Sequence, residues 1–176
     1  MKSDVVTIDN KGLGFKEAVE ATKKIADFNG LGDKESLKLQ LCAEEMLSMA
    51  RSITGEIKAS YWVECENGKY DLKMTTQTVM DKEKRHLLLS SASSHKNEAA
   101  TTFLGMLRDA FEEAMLSESD KTYYELPDEV ASDVVGRYID DPEWDRYEQS
   151  VLKKLADDIK ISIKGGVVEM TVTKAF

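Results

Sequence analysis

Two spacings of apolar residues succeed one another along the chain, one near 3.6 and one of two, and their order predicts the fold. Residues 4–9 (DVVTID) form a short β-prone run, and Gly12 and Gly14 punctuate the entry to a helix over 15–29. Within that helix Phe15, Val19, Thr22, Ile25, Ala26 and Phe28 fall near one stripe, while Lys16, Glu17, Glu20, Lys23 and Lys24 lie off it. Gly30 and Gly32 end it. Asp33 is the expected N-cap of a second helix that runs to Ile53 and stops before Gly55. Leu39, Cys42, Ala43, Met46, Met49, Ala50 and Ile53 keep the helical repeat, and Leu37, Leu41 and Leu47 add a second apolar flank. A helix apolar on so much of its circumference is expected to be covered on two sides.

The period then drops to two. Ile57, Ala59, Tyr61, Val63 and Cys65 alternate with Lys58, Ser60, Trp62 and Glu64, and Tyr70, Leu72, Met74, Thr76 and Thr78 alternate with Asp71, Lys73 and Thr75. Asn67-Gly68 between the two runs is the pair a type I′ turn favours, because both central residues take positive φ. The C-terminus repeats the design: Ile159, Ile161 and Ile163, then Gly165-Gly166, then Val168, Met170 and Val172. Between the hairpins, 81–89 reads as a short helix and 90–98 (SSASSHKNE) as a polar loop. A helix over 101–116 carries Phe103, Leu104, Leu107, Ala110, Phe111, Ala114 and Met115 at helical spacing, and this stripe is expected to pack on the sheet. Residues 117–142 hold both prolines and many acids, which predicts a surface excursion with a short helix near 128–138, and 144–156 reads as the last helix. The fold expected is one α+β domain over 1–176, a two-layer sandwich with helices on one face of a mixed, mainly antiparallel sheet.

Composition narrows the partners. A chain of 176 residues buries roughly 70% of its unfolded surface, so it needs neither metal nor disulfide to hold a core. Cys42 and Cys65 sit inside apolar patterns and read as buried thiols. The opening MKSDVVTIDN lacks the apolar stretch of a secretion signal, and no run reaches the ~20 apolar residues that cross a bilayer, so a cytoplasmic protein is expected. A net charge of -9, with Lys and Arg scattered among acids, disfavours nucleic acid and anionic membrane. Another protein is the expected partner, and a homodimer through the N-terminal β-prone run is a further expectation.

Few residues suggest chemistry. Of Glu44 and Glu45, about 100° apart on the second helix, only one can enter a given cleft, as a general base or a metal ligand. Asp140-Asp141 and Asp157-Asp158 read as solvated acids, and His86 and His95 lack partners at zinc-ligand spacing, so no metal site is expected. Nucleophile-elbow, phosphate-loop and dinucleotide-binding motifs are absent from the sequence. The loop over 90–97, with Lys96 and its hydroxyls, is the one phosphate-binding candidate, and Trp62 and Trp144 are candidate anchors for a partner.

The element order, with LQLCAEEMLSMARSITGE over 39–56, resembles the GHKL superfamily, the ATP-binding fold of gyrase B subunits, sensor histidine kinases and anti-sigma factor serine kinases. The resemblance covers 15–116 and 157–174. It implies a histidine-kinase-like fold whose ATP cleft corresponds here to Glu45, Met49, Gln77, Thr78, Lys96 and Gly105, with Glu45 in the place of the acid that activates water. Met49 stands where the family has the Asn that holds magnesium, and a thioether is no ligand for a hard cation. The family's Asp-x-Gly-x-Gly falls at TQTVM (76–80), with none of its Asp or Gly, and no glycine occurs between Gly68 and Gly105, where the phosphate-wrapping lid is glycine-rich. The resemblance, with these losses, implies a bacterial regulatory or protein-binding module of the anti-sigma type, with a degenerate site and no cofactor. The alternatives are a divergent ATPase or serine kinase that keeps Glu45 as its base and uses ATP and magnesium, and an interaction scaffold unrelated to that family.

Overall fold

Alternation of period two is what turns two stretches of this chain into hairpins. The computed structural model describes residues 1–9, 13–55, 58–119 and 151–176. Strands β2 (Ala59–Glu66) and β3 (Lys69–Gln77) pair antiparallel from Ala59↔Thr76 to Glu66↔Lys69, and the turn takes Asn67 at φ 50 and Gly68 at φ 77. Strands β4 (Asp158–Lys164) and β5 (Val167–Ala175) do the same around Gly165 and Gly166, at φ 56 and 80. Both turns are the two-residue type that matches strand twist. The short β1 (Val6–Ile8) joins β2 and the hairpins meet at β3 and β5, which makes a sheet of order β1-β2-β3-β5-β4.

Every strand pair among the described residues is antiparallel, which corrects the expectation of a mixed sheet. Two of the four pairings are tight hairpins and can only be antiparallel, and the longer connections bring β1 to β2 and β5 to β3 in the opposed sense as well. The one parallel contact among the described residues is a single bridge, Asn97↔Ile161.

One face of the sheet is buried and the other is not. Tyr61, Val63, Leu72, Met74, Ile161, Ile163, Val168, Met170 and Val172 point under the helices at no more than 1% exposure, while Trp62, Lys73, Thr171 and Lys160 form a row across the open face. Helix α1 (Phe15–Phe28) lays Ala18, Thr22, Ile25 and Ala26 on the sheet. Phe28, placed on its buried stripe by the sequence, is 76% exposed, because it lies roughly 100° from the centre of the stripe that packs. Helix α2 (Asp33–Thr54) packs along α1 and buries Leu39, Cys42, Ala43, Met46, Leu47, Met49 and Ala50. Its N-cap is Gly32, not Asp33; Asp33 and Glu35 occupy the first turn, where carboxylates favour the helix dipole. Inside this core Tyr61 and Thr22 share a 2.7 Å hydrogen bond, and Thr22 also donates to the Ala18 carbonyl, so both buried hydroxyls are satisfied.

Helix α3 (Lys82–Ser91) is capped by Asp81, whose carboxylate accepts from the Lys84 amide. A 3₁₀ turn (Glu98–Ala100) and helix α4 (Phe103–Ser119) follow. Residues 151–155 are helical and lead into β4. The helix expected near 128–138, Trp144 and most of the expected last helix lie outside the described residues. No helix among the described residues is long and apolar enough to cross a membrane.

Candidate functional site

The six cleft positions named by the family resemblance sit in different kinds of surroundings. Met49 is 1% exposed and belongs to the hydrophobic core between α2 and its neighbours. Glu45, one turn earlier, is half-buried, and Glu44 is exposed, so at most one of the pair turns toward the protein interior. The charge of Glu45 reaches Cys42: burial pushes that thiol up to about 11, Asp157 and Glu45 add to the effect, and Lys174 opposes it. A thiol so held is protonated and unreactive, and both cysteines are free and buried. Gln77 is exposed at the end of β3 and Thr78 donates its amide to the Gly166 carbonyl of the other hairpin. Lys96 is exposed, its amide bonded to the neighbouring Ser94 hydroxyl. Gly105 is buried in α4, where a Cβ would stand 2.5 Å from the Ala99 carbonyl oxygen. Its role is close approach of α4 to the 3₁₀ turn.

Helix α4 departs most from expectation. Its stripe of Phe103, Leu104, Leu107, Ala110, Phe111, Ala114 and Met115 is expected from the sequence to pack on the sheet, and every one of these residues is exposed, Phe103 by 77% and Phe111 by 66%. With Met106 they cover about half the helix circumference without one charge. The opposite side faces the protein: Gly105, Arg108, Asp109 and Glu112 are buried or half-buried. Helix α4 is amphipathic but inverted.

A buried polar network lies beneath the inward side of α4. Arg85 of α3, 5% exposed, donates to the Asp109 carboxylate at 2.6 Å, and Asn97 donates to the same oxygen at 2.5 Å. Asn97 also treats the edge of β4 as a strand would: its Nδ2 donates to the Ile163 carbonyl at 2.9 Å and its Oδ1 accepts from the Ile163 amide at 2.8 Å. Ser93 repeats the device at Ile159, amide to carbonyl and hydroxyl from amide, both at 2.8 Å. The polar loop after α3 thus closes the β4 edge against further strand pairing. At the far end Glu112 accepts from the Gly165 amide in the β4–β5 turn. An apolar side chain turned into this network would leave a buried guanidinium without its counter-charge, so α4 presents Arg108, Asp109 and Glu112 inward and its hydrocarbon outward.

Arg85, Asn97 and Asp109 do not stand out in the sequence. The signal available is that Arg108, Asp109 and Glu112 share a helix side, which reads equally well as a solvated face.

Two surface hollows bear on ligands. One of about 350 Å³ is lined by Lys82, Arg85, His86, Ser90, His95 and Glu113, and so brings together both histidines of the chain. A second of about 300 Å³ takes in Gln77 with Thr7, Ser60 and Thr75. Neither is lined by Glu45, Met49, Thr78, Lys96 or Gly105. No group of three or more His, Cys, Asp or Glu able to hold a metal occurs among the described residues. On the open sheet face the Lys73 ammonium and the Trp62 indole N–H both donate to Glu64, at 2.5 and 2.9 Å, and hold its carboxyl down at about 2. Lys2 lies over the Trp62 ring at 4.7 Å, so this tryptophan is engaged within the chain.

Comparison with protein-family models, with curated proteins and with solved structures gives no match to this chain.

Proposed function

We propose that the chain is a regulatory, protein-binding module on a histidine-kinase-like sandwich whose nucleotide chemistry has lapsed. The observation that carries the reading is the outward apolar arc of α4: an uncharged half-helix on a surface otherwise rich in acids and lysines is what protein docking surfaces present. Two further observations support it. The order helix, helix, hairpin, helices, hairpin agrees with the element order of the GHKL resemblance. Met49, at the position that resemblance gives to a magnesium-holding Asn, is packed in the core with only a thioether to offer. Calorimetry of the purified full chain with ATP and magnesium tests this: no metal-dependent binding is expected, and Glu45→Gln is expected to leave the nucleotide response unchanged. Tight, magnesium-dependent binding of ATP would overturn the reading in favour of a divergent ATPase or kinase.

A further inference from the structure

We propose that the outward face of α4 is covered by the α4 of a second copy of this chain, in an antiparallel two-fold pairing. The proposal deepens the protein-binding reading and rests on it for the assignment of the arc as a docking surface.

Area is the first argument. Phe103, Leu104, Met106, Leu107, Phe111 and Met115 are 53–77% exposed. Together they offer on the order of 700 Å² per copy, close to the roughly 800 Å² that each partner gives a standard interface. Burying so much hydrocarbon needs a partner of comparable size and character.

Self-complementarity is the second. In a two-fold interface the same patch must fit itself, residue i against j and j against i. Laid antiparallel about Asp109, the centre of the apolar stripe from Phe103 to Met115, α4 sets Phe103 opposite Met115 of the second copy and Leu107 opposite Phe111, each large group meeting one of suitable size, with the aromatic ring against a thioether. Leu104 then meets Ala114, whose small side chain lets the helices approach.

Charge decides against an anionic bilayer, and the sheet edges decide against strand pairing. Arg108, Asp109 and Glu112 of α4 face inward, so two chains of net charge -9 meet over an uncharged strip, whereas a chain of that charge is repelled by an anionic bilayer. Self-association by strand pairing, the route expected from the sequence, has little to work with: β1 is three residues long and Ser93 and Asn97 occupy the β4 edge.

Sedimentation of the full chain over roughly 1–100 µM tests the proposal. The wild type is expected to approach twice the 19.7 kDa mass of one chain. Phe111→Glu and Leu107→Glu are each expected to raise the dimer dissociation constant by at least about 100-fold, since a desolvated, unpaired carboxylate would sit inside the interface. Unchanged far-ultraviolet dichroism and cooperative melting identify these variants as folded. Hydrogen exchange is an independent readout that needs no variant: α4 amides should slow as wild-type concentration rises, while β3 amides stay constant. A wild type that remains monomeric at roughly 100 µM overturns the proposal, whatever else shields the arc, and leaves the nucleotide test of the protein-binding reading unaffected. A dimer that both glutamate variants leave intact overturns it equally.

Discussion

Helices α2 and α4 have similar amounts of hydrocarbon and opposite fates. Helix α2 turns Leu39, Met46, Leu47 and Met49 into the core at no more than 1% exposure, and α4 turns Phe103, Leu107 and Phe111 into solvent at 60% or more. Their sequences alone do not separate them, since each shows apolar residues at helical spacing. The difference lies in what each meets on arrival. Helix α2 joins a core whose sheet face is made of Val, Ile, Met and Leu. Helix α4 arrives beside α3, the 3₁₀ turn and the end of the β4–β5 hairpin, where Arg85 and Asn97 already wait for a carboxylate.

The sharpest way to break the comparison is to remove the charge that orients α4. Asp109→Ala leaves Arg85 buried without that partner and is expected to destabilise the chain by about 3–5 kcal/mol in urea titrations. Replacing the pair together, Arg85→Met with Asp109→Leu, should recover most of that loss, because the penalty belongs to the orphaned charge. Were the single change harmless, the inward polar face would not be what holds α4 in place.

Next in size is the contrast within the hydrocarbon itself. Leu72→Ala, at a fully buried position of β3, is expected to cost about 2–5 kcal/mol. Leu104→Ala on the exposed arc should change the stability of the monomer by less than about 0.5 kcal/mol at concentrations too low for association. Equal costs at the two positions would mean that α4 is covered within one chain.

Intermediate effects come from polar groups on the two faces of the sheet. Tyr61→Phe removes one buried hydrogen bond while Thr22 keeps its bond to Ala18, so a loss of about 1 kcal/mol is expected. The smallest effect is electrostatic. Hydrogen bonds from Lys73 and Trp62 depress the Glu64 carboxyl from its ordinary 4.5 to about 2. A depressed folded-state value means a contribution present above the unfolded value and lost as pH falls from about 4.5 toward 2. Glu64→Gln should therefore flatten the slope of stability against pH in that window and leave the slope unchanged near neutrality. Asp157, lowered by its bonds to Lys174 and the Ala175 amide, acts in the same direction, so some acid slope is expected to survive.

Much of this architecture is legible in the sequence. The hairpins can be read because alternation of period two needs only neighbours along the chain, and Asn67-Gly68 and Gly165-Gly166 specify their turns locally. Helices α1 and α2 and most of their core residues are readable for the same reason, with Phe28 and Leu37 exposed against expectation. Less of the candidate site can be read. Met49 is recognisable as a poor magnesium ligand from its chemistry, but Arg85, Asn97 and Asp109 carry no sign that they will meet. Asn97 and Arg85 lie 12 and 24 residues from Asp109 along the chain, and a buried carboxylate looks like a solvated one until its partners arrive.

Local order was therefore decided by the sequence itself: which stretches are helix, which are strand, where they turn and which residues share a side. Direction was decided by tertiary structure: that β1 runs antiparallel to β2 and β5 to β3, that Ser93 and Asn97 occupy the β4 edge, and that α4 faces Asp109 inward. The physical reason is that periodicity defines two sides of a helix but not which one is buried. That choice is made by the surface the helix meets, and α4 meets the end of the sheet with the side whose carboxylate pairs with the buried Arg85 and Asn97.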